Sequence, residues 1–335
     1  MSMIARRSLL KGGAVTLIGG LLSEASPTRA PSAQFRLGVN LAGAEFAKIG
    51  GRWRWPNVAN LDYYLSKGFN VFRVPFKWNR LQPTLDGPLD RDALDGLDVL
   101  IRRATAAGAV ILLDAHDYGR RDGQIIAQAG STVGAAPFAS FWGLLATRYK
   151  ANPHVWYNLM NEPHDQDPMA NLAAQNAACA AIRAAGATSK VLFSGSAWSG
   201  AHSWLKTANA KVMLLVRDPG NNYAFDAHQY LDKRYNGGSL VAVPGLGARV
   251  LNDIYGWASE NRKKIFLGEF AAGPNAASLA ELDALLSFMV RHKDVFIGAT
   301  YFAGGGTWGK SVGSADPVEG VEKPQTLLLQ RYLSR

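Results

Sequence analysis

The stretch Leu159-Met160-Asn161-Glu162-Pro163 closes an apolar run made by Val155, Trp156, Tyr157 and Leu159. Such a run reads as a buried strand over Val155–Asn161 that delivers a carboxylate into the loop after it. Proline has no N–H to give to a sheet ladder, so Pro163 marks the strand's end. A second stretch, Ile265-Phe266-Leu267-Gly268-Glu269-Phe270, repeats the pattern, an apolar strand running into a glutamate. Two strand-end glutamates on one barrel are the residue types that cleavage of a glycosidic bond needs, one as acid and one as nucleophile or base.

Outward from these two strands, apolar runs alternate with helical patterns along the chain. Strands are expected at Arg36–Leu41, Asn70–Phe76, Ala109–Ala115, Lys190–Ser194, Ala224–Gln229, Lys264–Phe270 and Val295–Phe302 besides the fourth at Val155–Asn161. Asp90 is placed to cap a helix that reaches Ala107, where Leu94, Leu97, Leu100 and Ile101 recur at helical spacing and Gly108 stops it. Pro137 is expected to open a helix ending at Tyr149. Further helices are read over Leu61–Lys67, Met169–Ala185, Val250–Asn261, Ser278–His292 and Gln325–Tyr332. Strands that are near-continuous apolar runs belong to parallel sheets covered on both faces. Eight strand–helix units in a chain of 335 residues predict an α/β fold, a single-domain (β/α)8 TIM barrel over residues 31–335. Strand one ends in Asn40-Leu41-Ala42-Gly43, which lacks the Gly-rich turn of a dinucleotide fold.

Composition is that of a globular protein, 48% hydrophobic and 19% charged, enough for a full core. The one cysteine, Cys179, sits in an Ala-rich helical run and reads as a small buried residue; no cysteine cluster exists to hold zinc. Net charge is +10, but Arg6, Arg7, Lys11 and Arg29 fall in the first 30 residues and no dense basic run follows, which argues against nucleic acid as a partner. Arg6-Arg7-Ser8-Leu9-Leu10-Lys11 resembles a bacterial twin-arginine export signal. The apolar segment behind it, Gly12 to Leu22, is too short to span a membrane, and small residues offer cleavage after Ala30 or Ala25. Residues 1–30 are therefore read as a signal peptide. The mature chain is expected to be periplasmic or secreted, a monomer with no membrane anchor.

In such barrels the C-terminal strand ends form the site. Those ends carry Arg73, His116, Asn161, Glu162, His228, Tyr230 and Glu269. With Phe72-Arg73-Val74-Pro75-Phe76, Asp114-Ala115-His116, Asn161-Glu162-Pro163-His164, Ala197-Trp198-Ser199-Gly200, His228-Gln229-Tyr230 and Gly268-Glu269-Phe270 in this order, the chain resembles glycoside hydrolase family 5, most of all its endo-β-1,4-glucanases. The resemblance implies a retaining double displacement on β-glucan with no cofactor and no metal. Glu269 would be nucleophile and Glu162 acid/base. Arg73 and Tyr230 would support Glu269, Asn161 would bind the sugar's 2-hydroxyl, and His116 and His228 would line the site. A related β-mannanase or transglycosylating enzyme is the alternative, an inactive sugar-binding barrel a more distant one.

Among the tryptophans, Trp142, Trp156 and Trp257 read as core. Trp53, Trp55, Trp78, Trp198, Trp204 and Trp308 fall in loops, with Trp198 and Trp308 the preferred sugar platforms. Two departures from the family pattern stand out. The strand-eight end is Ala299-Thr300-Tyr301-Phe302 where a tryptophan is usual, so Tyr301, Phe302 or Trp308 must take that role. Asp117 follows His116 where asparagine is common. His154, His164, His202 and His292 are read as structural.

Overall fold

A computed structural model of the chain describes residues 34–46 and 54–333. The expected export signal and Trp53 lie outside the described residues. Eight parallel strands close into a barrel: β1 Arg36–Leu41, β2 Val71–Phe76, β3 Val110–Ala115, β4 Val155–Asn158, β5 Val191–Ser194, β6 Tyr223–His228, β7 Ile265–Glu269 and β8 Phe296–Gly304. Each strand pairs with its sequence neighbours, and β8 returns to β1 with Leu37 opposite Ala299 and Val39 opposite Tyr301.

The connecting helices start and stop where the sequence chemistry says they should. The Asp90 carboxylate accepts from the Ala93 N–H at 2.8 Å and caps Arg91–Ala106; Asn275 does the same for Ala276–Arg291 through Ser278 at 2.9 Å. Pro168 opens Pro168–Ala184 behind an Asp167 cap. The helix expected from Pro137 runs over Ala135–Tyr149, starting two residues earlier, because proline is tolerated throughout a first turn whose N–H groups lack partners. Sequence reading missed a small hairpin, Arg120–Arg121 with Gln124–Ile125, which hangs over the barrel mouth after β3.

The main core lies between barrel and helices and includes Trp142, Trp257 and Cys179, whose thiol burial pushes up to about 12. Trp78 and Trp204 are buried there too, so neither is a platform. Trp55 packs its edge on Phe76 and donates to the Ala93 carbonyl. A second, smaller cluster holds Val71, Val110, Leu112, Leu192, Ala224 and Phe266, with Trp156 against it. These alternate along their strands with core residues of the other face, and so point into the barrel.

Candidate active site

The same alternation builds the site. Two residues beyond each of Val71, Leu112, Trp156, Leu192 and Ala224 come Arg73, Asp114, Asn158, Ser194 and Asp226. The barrel interior therefore changes along its axis from apolar to polar, and the polar layer is buried. Buried polar groups must satisfy one another, and most of these do, Arg73 Nε and Asp226 Oδ1 being the exceptions. Asn158 Nδ2 donates to Asp114 at 2.8 Å and to Asp226 at 2.9 Å. Arg73 is fully buried and donates to Asn40 Oδ1 at 2.8 Å, Glu269 Oε1 at 2.8 Å and Asn161 Oδ1 at 2.6 Å, with Asp114 at 3.0 Å.

Strand β4 ends at Asn158 rather than Asn161, so Asn161 and Glu162 sit in the loop. The Asn161 N–H still bonds the Ala115 carbonyl at 2.8 Å, which ties the loop to β3. Glu162 takes φ 39°, a left-handed conformation that costs a β-carbon residue free energy and re-aims its carboxylate over the mouth. Glu269 ends β7. Gly268 before it must be glycine, since a Cβ there would lie 2.1 Å from Asp226 Oδ1. Each glutamate offers an oxygen within 4.8 Å of the other's and of a His228 ring nitrogen.

The two carboxyl groups are pushed in opposite directions. Burial raises Glu162, and the nearby Glu269 charge adds to that against a hydrogen bond from His228. Burial would also raise Glu269, but His228 and Arg73 outweigh it and hold this carboxylate below its ordinary value. The Tyr230 hydroxyl donates to Glu269 Oε2 at 2.7 Å. Burial opposes charging of His228, yet Glu269 and Asp226 keep it protonated well above the usual histidine range. It thus donates from Nδ1 to Glu162 at 2.7 Å and from Nε2 to Asp226 at 3.1 Å. Both ring nitrogens of His228 are thus committed to carboxylates. His116 is the opposite case: burial and the Arg73 charge keep it neutral. Its Nδ1 lies 2.7 Å from Asp114 Oδ2 and donates there, which leaves Nε2 to accept from Asn161 at 3.2 Å.

A cavity of about 770 Å³ crosses the mouth over these groups. It brings together Glu162, Glu269, His116, His228, Tyr230, Trp198 and Trp308. Tyr301 does not belong to it. Strand alternation turns Tyr301 into the core, where its hydroxyl donates to the Ala272 carbonyl at 3.0 Å and its ring meets Phe270 edge-on. Phe302, its neighbour, faces the cavity and meets Trp308 edge-on at 5.7 Å. Trp198 is 49% exposed, stacks on His164 at 3.7 Å and meets Tyr118 edge-on at 6.0 Å. His164 and His202, expected to be structural, both line cavities at the mouth. Asp117 accepts the Trp78 N–H at 2.6 Å, pairs with Lys77 at 3.3 Å and lines a smaller cavity beside Glu162. Asn40, Asp114, Asn158 and Asp226 were missed as site residues; their signal was strand parity with Arg73 and His228.

The geometry has close counterparts. Residues 36–304 match the model of the cellulase family, glycosyl hydrolase family 5. An endo-beta-1,4-glucanase B of Aspergillus niger is 34% identical over 304 residues, 88% of this chain and 89% of its own. An endo-beta-1,4-glucanase A of Emericella nidulans is 33% identical over 95% of this chain and 98% of its own. Among solved structures, an endo-beta-1,4-glucanase from Xanthomonas axonopodis pv. citri superposes with a TM-score of 0.85 at 34% identity, covering 89% of this chain and 98% of that one. An endoglucanase from Pseudomonas stutzeri, solved with cellobiose, gives 0.82 at 30% identity over 89% and 92%. With a closed eightfold barrel, a buried arginine under one glutamate and a second glutamate across from it, the chain belongs to glycosyl hydrolase family 5 and is a glycoside hydrolase.

Proposed function

We propose that the protein is an exported endo-β-1,4-glucanase that cleaves internal bonds of β-glucan with retention of configuration. The observation that carries this is the oxygen-to-oxygen approach of Glu162 and Glu269, within 4.8 Å. A retaining pair stands about 5–5.5 Å apart and an inverting pair roughly 6.5–9.5 Å apart, with room for a water between. The names of the relatives support β-1,4-glucan as substrate, and the Arg6-Arg7 motif supports export.

In the first step a Glu269 oxygen attacks the anomeric carbon. The bond to the leaving oxygen breaks, and that oxygen takes the proton of Glu162. Arg73 and Tyr230 keep Glu269 ionised and aimed, while Asn161, fixed between Arg73 and His116, meets the sugar's 2-hydroxyl. Once Glu269 is an ester its negative charge is gone. One of the causes that raise Glu162 goes with it, so Glu162 becomes a better carboxylate and can take a proton from water. The water then attacks the anomeric carbon, the ester bond breaks, and Glu269 leaves as carboxylate. Two inversions give retention. Phe302 and Trp308 line the cleft together, and the exposed Trp198 offers a platform in it.

The test is a panel of carboxymethylcellulose, mixed-linkage β-glucan and mannan, with NMR of the first-formed reducing end. A β-anomer from the glucans is expected. An α-anomer refutes retention, and faster cleavage of mannan refutes the substrate.

A further inference from the structure

Glu45 is a buried acid that no step above uses. It lies in the loop after β1, 2% exposed, next to Phe46, which lines the cleft. The loop has little room to move. The Ala42 N–H bonds the Gly304 carbonyl at 3.0 Å, and a Cβ on Gly43 would come 2.5 Å from Thr307 Oγ1. Glu45 Oε2 accepts the Gly43 N–H at 2.6 Å, while Oε1 is buried with no hydrogen-bond partner. Among the described residues no lysine, arginine or histidine nitrogen bonds either oxygen. A charge in such a place would be desolvated and unpaired, and a carboxyl there keeps its proton instead.

The acids that face it belong to the site: Asp114 of β3, Glu269 of β7 and the Tyr118 hydroxyl after β3. Burial pushes Glu45 up to about 8 against the N–H groups of Gly43 and of Glu45 itself, and the charges of Asp114 and Glu269 add to the rise. In the second half-reaction the ester C–O pair returns to Glu269 and the water's proton goes to Glu162, so Glu269 regains a negative charge. We infer that Glu45 is a positioning residue for that step, a neutral carboxyl that keeps a further negative charge away from Glu269 while Glu269 leaves as a carboxylate. The inference rests on the double displacement proposed above. Once Glu45 gives up its proton, its charge opposes the one that returns to Glu269, and breakdown of the ester slows. Formation of the ester is not opposed in this way, because Glu269 loses its charge there.

The test compares the full chain with Glu45→Gln, which keeps the size of the side chain and is neutral at every pH. The substrate is dinitrophenyl β-cellobioside. Its leaving group departs without a proton from Glu162, so kcat reads breakdown of the ester and kcat/KM its formation. Between about pH 7 and pH 9 kcat of the parent should fall about fivefold, and that of Glu45→Gln should hold within about twofold. Glu45→Met, also neutral, should share the flat profile. Carbon-13 NMR of glutamate-labelled protein reads the same coupling without substrate. The Glu269 carboxyl signal, assigned by its loss in Glu269→Gln, should move as pH passes about 8 in the parent and stay in place in Glu45→Gln. Equal pH profiles in parent and variant overturn the proposal, as does a fall confined to kcat/KM or a Glu269 signal indifferent to the Glu45 proton. A coupled signal with no hydrolysis by either protein would refute the glucanase reading and leave the coupling of the two carboxyls standing.

Discussion

Two arginines at opposite ends of the barrel, Arg183 part-buried and Arg73 fully buried, show how differently the same side chain is used. Arg183 lies at the N-terminal end. It grips Asp218 through two nitrogens at 2.7 and 2.9 Å and donates to the carbonyls of Ala187, Ser189 and Asn222, which lead into β5 and β6. One cation there meets one carboxylate, and the loop is closed. Arg73 lies at the mouth among Asp114, Asp226 and Glu269, with its Nε left without a hydrogen bond. Charge at that end is not balanced pair by pair. The surplus of carboxyl groups is what leaves one proton to be moved between Glu162 and water. The closed end turns electrostatics into stability, and the open end holds it in reserve for chemistry.

The sharpest way to break this contrast is Glu269→Gln. It should cut turnover of β-glucan by on the order of 10⁴-fold or more while the barrel stays folded, by circular dichroism and thermal midpoint. Activity within tenfold of the parent would remove the mouth's special status. Arg183→Met is the opposing case. Stranding Asp218 should cost about 3–5 kcal/mol of stability, with kcat of the folded fraction unchanged. A variant that stays stable but turns over slowly would reverse the assignment.

Asp218 itself is depressed from 3.8 to about 2, with burial opposed by Arg183 and by backbone N–H groups. A depressed carboxyl contributes stability above its unfolded value and loses it as pH falls through the folded one. Discounted for the solvent that reaches this pair, about 1 kcal/mol should therefore fade between roughly pH 4 and pH 2, and acid titration of Arg183→Met should lack that component. Trp198→Ala should lower kcat/KM by about three- to tenfold, close to 1 kcal/mol, with no change in the pH profile. The smallest effect is expected from Asp226→Asn. Without that counter-charge His228 loses its proton more readily, Glu269 is depressed less, and the acid limb of the pH–rate profile moves to higher pH. A limb that stays in place would mean that Asp226 does not act through His228.

Much of this was readable in the chain because two signals reinforce each other. Apolar runs ending in Asn161-Glu162 and Gly268-Glu269 identify both strands and their cargo, and Asp90 and Gly108 punctuate a helix by local chemistry alone. Tyr301 was misplaced for a reason just as local: a one-residue difference along a strand reverses the face, and the strand's exact start could not be fixed from apolar residues on both sides. Asp114 and Asp226 were invisible for a different reason. An acidic residue inside an apolar run makes sense only once several strands have supplied Arg73, Asn158, His228 and Ser194 around it. The hairpin after β3 and the placement of His164 beneath Trp198 depend on loops, where long-range contact decides conformation.

The left-handed backbone at Glu162 carries a consequence for anyone breeding hardier variants of this protein. Replacing that residue with glycine or asparagine would ease the torsion and delete the proton donor together. A screen that rewards heat endurance alone would be drawn toward survivors that no longer work, so endurance and turnover need to be scored on the same colonies.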